Sequence, residues 1–148
     1  MKTITIFLFA LFLNKGCDSE TQQDLKNTSI EYSARTRGYS QHIFIKNQEI
    51  TVDTDSRGDK SIVSNKITDA DWKILIAEFQ KLKLDKMNDL AAPTDKRTYD
   101  AAAIGNLMVT YKDVKHTSNS FDNGYPPKEI AKFVNKITAI AKATSKKQ

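Results

Sequence analysis

Thr28-Ser29-Ile30-Glu31-Tyr32-Ser33-Ala34-Arg35 alternates apolar and polar side chains, with Ile30, Tyr32 and Ala34 on one side and Ser29, Glu31, Ser33 and Arg35 on the other. A period of two is the mark of a strand half-buried against a core. Two further runs, Gln41 to Lys46 and Glu49 to Asp53, flank Lys46-Asn47-Gln48-Glu49. They predict an antiparallel hairpin whose apolar positions are Ile43, Ile45, Ile50 and Val52. Asp55-Ser56-Arg57-Gly58-Asp59 reads as a turn, with Gly58 supplying the positive φ that such turns need. Residues Ser61 to Ile67 read as a short further strand.

The period then changes. Thr68 is placed as an N-cap, with Asp69 and Asp71 in the first turn, where carboxylates favour the positive end of the helix dipole. Trp72, Leu75, Ile76, Phe79 and Leu82 follow at the spacing of one apolar helix face. Residues 85–100 carry Pro93 and many polar groups and read as a long connection. The runs 101–112 and 114–121, joined at Lys112-Asp113, predict a second hairpin. Asp122-Asn123-Gly124-Tyr125-Pro126-Pro127 ends it, and Pro127 opens a second helix. Ile130, Phe133, Val134, Ile137, Ile140 and Ala141 form its apolar stripe, while Lys128, Lys132 and Lys136 repeat every four residues away from that stripe. Strands, helix, hairpin, helix is an α+β order. The expectation is an antiparallel sheet of about five strands with two amphipathic helices packed on one face. The other face is left more polar. The single domain is expected over residues 28–142, with 143–148 as a frayed tail.

Before this domain, Met1-Lys2-Thr3 gives a basic start, and residues 4–13 form an apolar run interrupted only by Thr5. As a helix that run covers only about 15 Å, half of a hydrocarbon core near 30 Å, so it has the shape of a secretory signal rather than a membrane span. It ends in Leu13-Asn14-Lys15-Gly16-Cys17, with the chain's one cysteine directly behind a small residue. This stretch resembles a bacterial lipoprotein signal, although Asn14 and Lys15 stand where the family usually has Leu and a small residue. The resemblance implies cleavage after Gly16, acylation of Cys17, and a location in the cell envelope, lipid-anchored to the outer membrane. Two or three acyl chains hold a protein on a bilayer where one is marginal. Residues 1–16 are then the signal, and 17–27 the lipidated cysteine and its polar tether. Ile30-Glu31-Tyr32, Ile67-Thr68-Asp69-Ala70-Asp71-Trp72 and Phe121 to Pro127 likewise resemble the fold motifs of small bacterial lipoproteins with a strand-rich start and a closing helix. That resemblance carries no activity.

Loss of residues 1–16 removes Lys2 and Lys15 from 23 basic residues and none of the 18 acidic ones, leaving a net charge of only +3. Such a balance gives no reason to expect nucleic acid as a partner. One cysteine and two histidines leave little for a transition metal. Asp53-Thr54-Asp55-Ser56-Arg57-Gly58 begins like a calcium loop, but Arg57 stands at a ligand position and Ser64 at the twelfth, where a bidentate Glu belongs. No metal and no cofactor are expected. Arg35, Arg37 and Tyr39, with Arg97 and Tyr99 from the long connection, are the candidate ligand-binding residues, because arginine offers bidentate contacts and tyrosine amphipathic area. They suit a carboxylate, a phosphate or a glycan, if the two segments meet.

The reading is therefore an exported, lipid-anchored, non-catalytic binding or interaction domain. Its partners are the membrane, through the anchor, and an unknown protein or anionic small ligand. One alternative is a hydrolase-like envelope enzyme using His42 or His116 with a carboxylate. Another is a proteinaceous inhibitor or accessory subunit.

Overall fold

A computed structural model describes residues 27–146. The expectations for residues 1–26, including lipidation of Cys17, lie outside the described residues. The fold is α+β, built on one antiparallel sheet. Its first half is a meander: β1 (Ser29–Thr36), β2 (Tyr39–Lys46), β3 (Glu49–Ser56) and β4 (Asp59–Lys66). Each strand has eight residues and each turn two, so the chain reverses every ten residues. The turn at Asn47-Gln48 holds both residues at positive φ, as does Arg57-Gly58. That backbone suits the right-handed twist of the flanking strands. Gln48 has no glycine's freedom there, but its side chain donates to Ile67 O at 3.0 Å and to Asp69 Oδ1 at 2.7 Å. The turn is thus anchored to the start of the next element.

That element is α1 (Asp69–Phe79), whose N-cap Thr68 accepts from Asp71 N at 3.2 Å. Two 3-10 helices, Leu84–Asp89 and Lys96–Tyr99, occupy the connection expected to be irregular. Next come β5 (Ile104–Tyr111), β6 (Val114–Thr117), β7 (Phe121–Asp122) and α2 (Lys128–Ser145). The sheet order is β4-β3-β2-β1-β5-β6, with β7 also on β5. β1 is therefore central, paired in register with both β2 and β5.

Two counts differ from the sequence expectation. The sheet has seven strands rather than five. The polar fourth run forms a full strand, and the run 114–121 divides into β6 and β7 at Ser118, whose hydroxyl accepts from Leu107 N at 3.0 Å. The described helices number more than two, because the 3-10 segments add to α1 and α2. α2 also continues to Ser145, past the expected boundary at 142, with Thr144 buried.

One core holds these elements together. Ile30, Tyr32 and Ala34 of β1, Ile43 and Ile45 of β2, Ile50 and Val52 of β3, and Leu107 and Val109 of β5 line the inner face. Trp72, Leu75, Ile76 and Phe79 of α1 meet them with the stripe Ile130 to Ala141 of α2. Burying each such side chain contributes about 1.5–3 kcal/mol before the entropy of ordering is set against it. Lys136 is not a solvated member of its row. Its Nζ lies 2.7 Å from Asp71 Oδ1 and ties α2 to the first turn of α1.

The connection is fixed at one point. Asp122, fully buried on β7, accepts from Lys96 N at 2.8 Å and Arg97 N at 2.9 Å, and Arg97 Nη1 lies 3.3 Å away. Burial by itself raises the pKa of this carboxyl. The surrounding donors outweigh it and lower the pKa to about 2: the Thr94 hydroxyl, which faces the carboxylate short of full hydrogen-bond geometry, the two amides, and the guanidinium.

A Cβ added at Gly105 meets Phe121 Cε2 at 2.9 Å and the Tyr32 hydroxyl at 3.1 Å, and both partners are fully buried. Gly105→Ala is expected to cost about 1–3 kcal/mol in urea unfolding. At Asp122 the folded pKa lies below the unfolded one. Its ionised form therefore stabilises the fold above the unfolded pKa of 3.8, and that stabilisation is lost as pH falls toward about 2. Asp122→Asn is expected to lower Tm by several degrees at neutral pH, and thermal melts should show the gap to the parent protein closing across that acidic window.

Candidate functional site

α1 and α2 bury their stripes against the inner face, so among the described residues the side chains of opposite parity form an open outer face. The register lays these side chains out in rows. One row runs Ile62, Asp53, His42, Ser33, Asn106 from β4 across to β5. The next runs Lys60, Asp55, Ser40, Arg35, Ile104. Opposed side chains in such rows have Cβ atoms about 4.5–5.5 Å apart, close enough to act on one bound group.

A groove of about 340 Å³ lies where these rows cross β2, β1 and β5. Ser33 and Arg35 come from β1, Ser40, Gln41 and His42 from β2, and Ile104 and Asn106 from β5. The guanidinium and two hydroxyls are hydrogen-bond donors on one concave surface, joined by the Asn106 amide, whose Nδ2 also donates to Ser118 O at 3.3 Å, with Ile104, 41% exposed, as an apolar wall. His42 Nε2 lies 3.2 Å from Glu31 Oε2 in the neighbouring row. The ring is 48% and the carboxylate 28% exposed, so water screens the pair.

The candidate residues from the sequence divide between two environments. Arg35 lines the groove. Arg37 sits in the adjoining β1–β2 turn and is exposed. Tyr39 opens β2 on the inner side and packs partly buried against the core, and burial raises its pKa. Arg97 is turned inward. Its guanidinium donates to Thr94 O at 2.6 Å and reaches Asp122 and Ser120, with 18% of the side chain exposed. Tyr99 is exposed nearby. Both segments reach the same end of the sheet, since Ile104 is in register with Arg35 on one side and Asp122 on the other. Arg97 is nonetheless engaged in holding the connection.

Sequence reasoning did not find the pairing of Glu31 with His42. The two are eleven residues apart, and only the two-residue turn at Arg37-Gly38 sets them in neighbouring rows. Two other hollows are less suited to a small ligand. His116 sits 3.9 Å from Asp85 in one, beside β6, but that carboxylate is 93% exposed. Lys81, Lys83 and Lys86 rim another near the start of α2, where Lys81 pairs with Glu78 and Lys86 with Asp89. In the Asp53 to Gly58 stretch, Asp55 Oδ1 accepts from Gly58 N at 2.9 Å, which is turn chemistry. Among the described residues no group of three His, Cys, Asp or Glu side chains is placed to hold a metal ion, and no helix is long and apolar enough to cross a membrane. Comparison of the chain with protein-family models, with curated protein sequences and with solved structures finds no match.

Proposed function

We propose that this protein is a non-catalytic binding domain, exported and held at a membrane by lipid on Cys17, which receives an anionic group in the groove beside Arg35. The observation that carries the binding reading is the division of the sheet. One face is consumed by the core, and the other presents Arg35 with the donors of Ser33, Ser40 and Asn106. A guanidinium flanked by hydroxyls matches the oxygens of a carboxylate or phosphate, borne by a small molecule or by a protein side chain. The apolar run of residues 4–13, Gly16-Cys17 and the polar stretch 18–27 support the anchor.

The contact between His42 and Glu31 favours a second reading, in which the carboxylate orients an imidazole acting as general base. An open, watered groove weakens the preorganised dipoles such chemistry relies on, and binding remains the better account.

Inorganic phosphate followed by amide NMR is the direct test. The expected result is a saturable shift of the Ser33, Ser40 and Asn106 resonances, weakened about tenfold or more in Arg35→Ala, because hydrogen bonds to charged groups are worth about 1.5–3 kcal/mol. Equal titrations of the two proteins refute the site. His42→Ala should leave phosphate binding within a few-fold of the parent; on the enzyme reading it removes about 10²–10⁴ of any hydrolytic rate. For the anchor, cells fed labelled palmitate should label the parent chain and not Cys17→Ser. Label persisting in that variant overturns the lipid assignment.

A further inference from the structure

We propose that the free edge of β4 is a homodimer interface, where two copies of this chain pair β4 with β4, antiparallel, about a two-fold axis at Ile62. The two edges of the sheet are unlike. On one, β6 and β7 are short, broken at Ser118–Ser120, and β6 is backed by the 3-10 helix Leu84–Asp89. On the other, β4 runs for eight residues, pairs with β3, and among the described residues meets no second strand. Long open edges are templates for another strand, and native sheets usually shorten or cover them.

The hairpin sets which backbone groups are free. Ser56 and Asp59 flank a two-residue turn and so exchange hydrogen bonds, as do Thr54 with Ser61 and Val52 with Val63 in the alternating ladder. The N–H and C=O groups of Lys60, Ile62 and Ser64 therefore point away from β3. Ile62 stands in the middle of this row with 67% of its surface exposed, the highest value among the exposed large hydrophobic residues described.

The register then selects a second copy. Two-fold pairing must join even-numbered residues to even-numbered residues, which leaves few choices. Centred on Ile62, it sets Ile62 against Ile62, Lys60 against Ser64 twice, and Asp59 against Asn65 on the inner face. No like charges oppose, and the whole strand takes part. Centred on Val63, it sets Lys60 against Lys66 twice, which is repulsive. Centred on Ser61 or Ser64, it shortens the ladder. The strand is thus complementary to itself in one full-length register, and the two lysines that guard its ends against other partners face neutral groups in that register. Such an interface is isologous, the commonest kind among homo-oligomers, and its small size points to a dimer in rapid exchange with monomer.

The test uses the full chain carrying Cys17→Ser, so that an introduced cysteine is the only thiol. In the proposed register two copies of residue 62 have Cα atoms about 5.5 Å apart, inside the disulfide range of about 4.4–6.8 Å. Two copies of residue 60, or of residue 64, are about 14 Å apart, from four residues along the strand and one strand spacing across it. Oxidation should link Ile62→Cys into a covalent dimer and leave Lys60→Cys and Ser64→Cys monomeric. Sedimentation of the otherwise unmodified chain should show reversible dimerisation, abolished by Ile62→Lys and by Ser64→Pro, whose lost N–H faces outward and leaves the β3 ladder whole. An unchanged melting temperature in Ile62→Lys separates lost pairing from lost folding. A monomer at millimolar concentration, or equal cross-linking at positions 60, 62 and 64, overturns the proposal.

Discussion

Strands of eight residues joined by turns of two leave the meander no means of changing face. Each turn reverses the chain with a fixed offset, so the side chains of Ile30, Ile45 and Ile50 stand in one row and cannot slip to the other side without exposing every apolar residue of the strand. The division of the sheet into a covered and an open face follows, and with it the position of α1 and α2. It also places Arg35, Ser33 and His42 outside, for the same geometric reason that places Tyr32 and Ala34 inside.

This constraint explains why much of the architecture is readable in the sequence and why some is not. β1, β2 and β3 alternate visibly because one face of each is buried along its length. The stripes of α1 and α2 are equally plain, since Trp72 to Phe79 and Ile130 to Ala141 bury one side of a helix. β4 is faint because it lies at an edge, where only Val63 and Asn65 are partly covered. The break between β6 and β7 has no hydrophobic signal at all. It rests on a serine hydroxyl standing in for a backbone acceptor. Lys136 stands in a row of lysines spaced four apart, away from the apolar stripe, and its partner Asp71 lies 65 residues away, beyond any local pattern.

The site divides in the same manner. Arg35 was visible as a candidate through its residue type and its place on the polar parity. The partnership of Arg97 with Asp122 was not, because Asp122 reads as an ordinary turn residue until burial and four donors surround it. Buried carboxylates of this kind fix loops. Here the long connection between α1 and β5 is tacked down near its end, so the 3-10 helix Lys96–Tyr99 is held beside β7 rather than left to wander over the groove.

The central place of β1 has a kinetic consequence. Its pairing with β2 closes only a two-residue turn, whereas its pairing with β5 joins segments more than sixty residues apart in the chain. Ordering so long an intervening stretch carries an entropic barrier that local hairpins avoid. The meander can therefore form early and wait, its central strand still lacking a neighbour, until β5 arrives to complete the sheet.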